Sequence, residues 1–91
     1  MTRRVHVREV LAFLGVERDE LLEALRAEGL FETDHLRPEQ AEELRVAAVL
    51  MEDLGLNAAG VEVVLHLRRR LATLETLAAQ ALRRALERRS G

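Results

Sequence analysis

Cysteine, tryptophan, tyrosine, lysine and isoleucine are all missing from this 91-residue chain, and proline occurs once. Without cysteine there is no disulfide framework, no thiol nucleophile and no cysteine-ligated metal site. Independence from disulfides suits a reducing compartment, and the cytoplasm is the expected location. Phe13 and Phe31 are the only phenylalanines, too few for a platform on which single-stranded nucleic acid stacks. The three histidines are His6, His35 and His66, and Glu62 lies four residues from His66 on one helical face. Two potential ligands make neither a closed nor a catalytic zinc site. There is no glycine-rich phosphate loop and no Gly-x-Ser-x-Gly nucleophile motif. No carboxylate pair stands apart as tuned for acid–base work. These gaps argue against an enzyme and predict no cofactor. No apolar run approaches the ~18 residues of a membrane span. The opening Arg3-Arg4-Val5-His6-Val7-Arg8-Glu9 is too polar for a secretory leader.

What the chain does contain is arginine, acids, leucine and alanine. All 14 basic residues are arginine, set against 16 acids for a formal net charge of −2. That near-neutral total conceals three unlike segments. Residues 1–16 carry three arginines against Glu9, a net of +2. Residues 17–60 carry twelve acids against four arginines, a net of −8. Residues 61–91 carry seven arginines against three acids, a net of +4. Asymmetry of this kind bears on partners and association, not on fold.

Length predicts one domain with a core of helical size. Apolar residues at 7, 10, 11, 13 and 14 approach a helical stripe, and Gly15 supplies the stop. A second helix of about 11 residues carries Leu21, Leu22 and Leu25, with acids in its first turn where the helix dipole favours them, and Gly29 ends it. The segment 32–35 reads as a turn that returns Leu36 antiparallel to Leu30 and Phe31 in a vestigial hairpin. Pro38 opens a third helix, whose apolar stripe is Ala41, Leu44, Ala48 and Met51 flanked by Val49 and Leu50. Gly55 closes it. Asn57 is the expected N-cap of a fourth helix, which no glycine or proline interrupts between Gly60 and Gly91.

Along that helix Gly60, Val64, Leu67, Leu71, Leu74, Ala78, Ala81 and Ala85 recur at alternating four- and three-residue steps, a heptad seam. About 30 helical residues span roughly 45 Å, more than the preceding residues can cover. The seam from Val64 to Ala85 is therefore expected to join two copies as a homodimer, antiparallel or parallel. The expected fold is all-α or nearly so. A helix-turn-helix head occupies residues 1–56, and residues 57–91 form the long helix of the same structural unit.

The run Val10-Leu11-Ala12-Phe13-Leu14-Gly15-Val16, followed by Leu22, Leu25 and Glu28-Gly29-Leu30-Phe31, resembles the head of MerR-type winged helix-turn-helix proteins. Asp53-Leu54-Gly55-Leu56-Asn57-Ala58-Ala59-Gly60-Val61, then Val64-Leu65-His66-Leu67, is more specific. It resembles two MerR-like groups tied to the DnaK chaperone system, the CbpM chaperone modulators and the HspR heat-shock repressors. The likeness covers roughly residues 5–75. Assembly factors of the DafA type, which hold DnaK and DnaJ together, are a secondary resemblance without a residue-by-residue match.

The two groups differ in what they touch. DNA binding needs cations for phosphates and side chains that read base edges. Here the second helix, 18–28, has mainly acidic polar positions, and the wing has shrunk to Glu32-Thr33-Asp34-His35-Leu36 without arginine, glycine or aromatic residue. A net negative face repels the duplex. The CbpM resemblance implies instead a non-enzymatic modulator. It would bind the J-domain of a DnaJ- or CbpA-type co-chaperone and regulate its action on DnaK, by inhibition or by assembly. The resemblance also implies that the J-domain presents a basic helix. Acids at Asp19, Glu20, Glu23, Glu42, Glu43, Glu52 and Asp53 are the candidate contacts to it. The alternative is a MerR- or HspR-like regulator that binds promoter DNA. Leu56, Val61, Val64 and Leu65 are expected to pack the fourth helix on the head, and Gly60 to allow close helix approach.

Overall fold

The computed structural model describes residues 3–17 and 19–90. Arg18, read above with the second helix, lies outside the described residues. The element order is β1 (Val5–His6), α1 (Val7–Phe13), α2 (Asp19–Ala27), β2 (His35–Leu36), α3 (Pro38–Glu52) and α4 (Ala58–Ser90). The chain is thus mostly helical, with one two-stranded sheet and a long final helix.

Each short helix is closed by the residue chemistry around it. The His6 side chain caps α1, its Nδ1 accepting from the Arg8 amide at 3.0 Å. Past α1 the backbone turns at Gly15 with φ +73°, which lets the Val16 amide reach back to the Leu11 carbonyl at 2.9 Å. That left-handed conformation carries a steric cost for a residue with a Cβ. Gly29 closes α2 in the same way, with the Leu30 amide donating to Leu25 at 3.1 Å. The α2 helix has 9 residues rather than the 11 expected. Pro38 stands in the first turn of α3, where the missing amide costs nothing, and the Gln40 side chain accepts from the Arg37 amide at 3.0 Å. Asn57 caps α4 as expected, its Oδ1 accepting from the Gly60 amide at 2.8 Å.

The sheet differs from the expected hairpin. Leu36 pairs with Val5, and His35 with His6, antiparallel. Leu30 and Phe31 are not its partners. They are buried apolar side chains of the core, and Phe31 takes φ +52°, rare for a residue with a Cβ. Arg26 holds this bend. Its Nε donates to the Phe31 carbonyl at 2.8 Å and its guanidinium reaches Asp34 at 2.8 Å. That bond keeps the Asp34 carboxyl below its ordinary value. The 28–34 loop thereby delivers β2 to the N-terminal strand, where the rings of His6 and His35 meet edge to face at 5.1 Å.

One core unites all four helices: Val7 and Leu11 of α1, Leu21, Leu22 and Leu25 of α2, Leu44 and Ala47 of α3, and Ala58, Val61 and Leu65 of α4. Ala47 was not in the expected stripe, and Phe13 was wrongly placed in one. Phe13 is 89% exposed, because 7, 10, 11 and 14 share a helical face that 13 does not. Gly60 is also corrected. A Cβ there would meet the Asn57 Oδ1 at 3.2 Å and Leu56, so the small residue clears its own helix cap rather than a neighbouring helix.

Candidate functional site

The seven candidate acids do not form one patch. They fall into three places. Asp19, Glu20 and Glu23 are exposed on α2. Asp19 is hydrogen-bonded to Arg8, which holds that guanidinium above its ordinary value, and the charge of Glu23 adds to the same effect. Glu20 and Glu23 continue the negative face along the outside of the helix.

The second place is the angle between the start of α3 and α4. Glu42 is drawn to Arg45 one turn along, which lowers its carboxyl from the ordinary value. Glu43 makes a two-pronged bond to Arg69 across 26 residues, at 2.6 and 3.1 Å, with its side chain only 16% exposed. A carboxylate held this way ties α3 to α4, a structural contact that sequence spacing did not reveal. Arg69 belongs to the Arg68–Arg70 cluster, whose three members point in different directions on the helix.

The third place is a shallow cleft between the α1–α2 turn and the last turn of α3. Leu14, Val16, Ala48 and Val49 supply its apolar floor, and Glu17, Glu52 and Asp53 its charge. Every charged residue among these lining residues is acidic. Phe13, directly before Leu14, and Leu54, directly after Asp53, are both well exposed. The sequence pointed to Glu52 and Asp53 here but not to Glu17, and it did not show the apolar half. Helical phase placed Leu14 and Val49 with the core, and only packing shows that their faces run out at the edge of it.

Arg26 is the described cation of α2, and its guanidinium is already bonded to Phe31 and Asp34. Among the described residues no three His, Cys, Asp or Glu side chains come together as metal ligands. No described helix is long and apolar enough to cross a membrane.

The expected seam residues all lie on α4, and they divide by position. Val64 is half-buried beside the head. Leu67, Leu71 and Leu74 are 56–58% exposed, and Ala78, Ala81 and Ala85 are exposed as well. No protein-family model, characterised protein or solved structure matches the chain.

Proposed function

We propose that this protein is a non-enzymatic binding module that modulates a chaperone system. In this reading it takes the basic helix of a J-domain, of the DnaJ or CbpA type, on its acidic head. The observation that carries the reading is the cleft beside the α1–α2 turn, where apolar Leu14, Val16 and Val49 stand next to Glu17, Glu52 and Asp53. An amphipathic basic helix supplies what such a surface lacks. Its apolar side chains provide affinity, and its cations provide orientation and association rate. The likeness of the 53–67 segment to CbpM-type modulators adds a second line of support. The helix-turn-helix reading of α1 and α2, with 32–36 as a reduced wing, belongs to the same proposal, and here that element serves a protein partner.

Titration of a J-domain fragment at low salt tests the reading. The double variant Glu20→Arg/Glu23→Arg and the single variant Asp53→Arg are each expected to weaken binding several-fold. These side chains are on the surface, so folding is unaffected. Unchanged affinity in both variants removes the acidic face from the interface. No binding at tens of micromolar, together with a specific shift of promoter DNA at physiological salt, reverses the reading in favour of a DNA-binding regulator.

A further inference from the structure

The large apolar side chains that the head leaves in water are gathered at one place. Outside α4, three of them are exposed among the described residues: Phe13, Val49 and Leu54. Val49 lines the cleft between the α1–α2 turn and the last turn of α3. Phe13 directly precedes the lining residue Leu14, and Leu54 directly follows the lining residue Asp53. Phe13 is the extreme case, 89% exposed against 6% for Phe31, the other phenylalanine. Its ring fills no gap in the core, because position 13 lies off the face that 7, 10 and 11 turn inward. Alanine would serve the helix better. Covered by a partner, a phenylalanine side chain removes on the order of 150–250 Å² from water. Clustered apolar exposure rimmed by polar groups marks an interaction surface.

The rim is negative, and it is so where helix chemistry favours the opposite sign. Both α1 and α3 end here, with their C-caps Leu14 and Asp53 among the lining residues. The C-terminal end of a helix carries partial negative charge and ordinarily attracts lysine or arginine. Neither helix has a basic residue in its last turn, and α3 ends instead on Glu52 and Asp53. Glu17 lines the same cleft. Glu9, one turn before Phe13 on α1, is exposed on the same side of that helix.

We infer that Phe13, Val49 and Leu54 are the apolar anchors by which the head grips a partner's basic amphipathic helix, with Phe13 the principal one. The assignment rests on the J-domain reading above and adds to it the side chains that hold the partner. Phe13 enters a gap between aliphatic side chains of that helix, and the partner's cations meet Glu17 and Asp53 at the rim. Buried aromatic anchors dominate binding energy, whereas rim charges govern approach and register. Other occupants match the surface less well. A nucleic acid or an anionic lipid surface meets acids where it needs cations. A second copy of the chain, patch to patch, sets Glu17 and Asp53 against like charges.

The two phenylalanines supply the test. Labelling with 4-fluorophenylalanine gives one fluorine signal from Phe13 and one from Phe31, buried in the core. An unlabelled J-domain fragment is expected to shift the Phe13 signal and reduce its solvent-isotope effect. The Phe31 signal stays in place as the internal control. Phe13→Ala assigns the signals and is expected to weaken binding ~30-fold, chiefly through faster dissociation. Leu54→Ala is expected to weaken it ~5-fold. The Phe13 loss persists at high salt, whereas the loss from Asp53→Arg shrinks as salt screens the rim. Both apolar positions are outside the core, and thermal melting confirms that the head is folded. Calorimetric binding with a static Phe13 signal and an unchanged dissociation rate in Phe13→Ala overturns the anchor and leaves the J-domain reading standing. No binding of the unsubstituted chain overturns both. A Phe13→Ala chain that keeps its J-domain affinity but loses self-association or binding to anionic vesicles overturns the choice of occupant.

Discussion

The opening turns of α4 and its distal turns are one continuous helix of similar composition, yet they live in different surroundings. Val61 and Leu65 are fully buried against α2 and α3, while Leu71 and Leu74, two to three turns on, are more than half exposed. Leucine content does not separate the two regions. What separates them is whether the head reaches that far, and it stops at the Glu43–Arg69 bond. Burial is therefore a property of where neighbours end, and a leucine beyond that limit is surface rather than core.

The comparison is broken most directly by taking the same atoms from both regions. Leu65→Ala leaves a cavity in a packed core and is expected to cost ~2–5 kcal/mol, read as a large fall in the thermal midpoint. Leu71→Ala in dilute protein is expected to change stability by less than ~0.5 kcal/mol. Equal losses at the two positions would mean that the distal turns pack on the head after all. A smaller effect is expected from Asn57→Ala, which strands the Gly60 amide at the start of α4. Its expected cost is ~1 kcal/mol in urea denaturation. The smallest concerns the boundary itself. Glu43→Gln removes the charge that holds Arg69, a half-exposed pair worth well under ~1 kcal/mol to global stability. Hydrogen exchange is expected to speed up locally over residues 66–72, with the amides of α2 unchanged. Uniform exchange along the whole chain would show that this bond does not mark the edge of the head.

Much of this architecture was legible from local signals. Gly15, Gly29 and Gly55 close helices where their positions suggested, with φ between +72° and +80°, and Pro38 and Asn57 open α3 and α4. Such signals act within a turn or two of the residue that carries them, so a single sequence contains them. The misread features are those settled at long range. Two residues of strand hold no alternation from which to choose a partner, and Leu36 was assigned to its near neighbours Leu30 and Phe31 when its partner is Val5. Glu43 looked like any solvated helical acid because Arg69 stands 26 residues away. The candidate acids were identified as a composition, and folding distributed them over three places. The apolar half of the cleft was hidden because helical phase says which residues share a face and not where the packing against that face ends, as at Leu14 and Val49.

The unbroken α4 also has a consequence for how this protein tolerates change in length. Loops closed by Gly15, Gly29 and Gly55 absorb an inserted residue locally, since the chain on either side can pivot. Within α4 an added residue has nowhere to go. It turns everything beyond it by about 100° and advances it by about 1.5 Å. One codon gained or lost between Leu67 and Ala85 would swing the later alanines out of line with the earlier leucines while leaving the head untouched. Insertions of seven preserve the phase almost completely, with a drift of only ~20°. Length variation in related chains is thus expected to be free at the three glycine turns and quantised along the final helix.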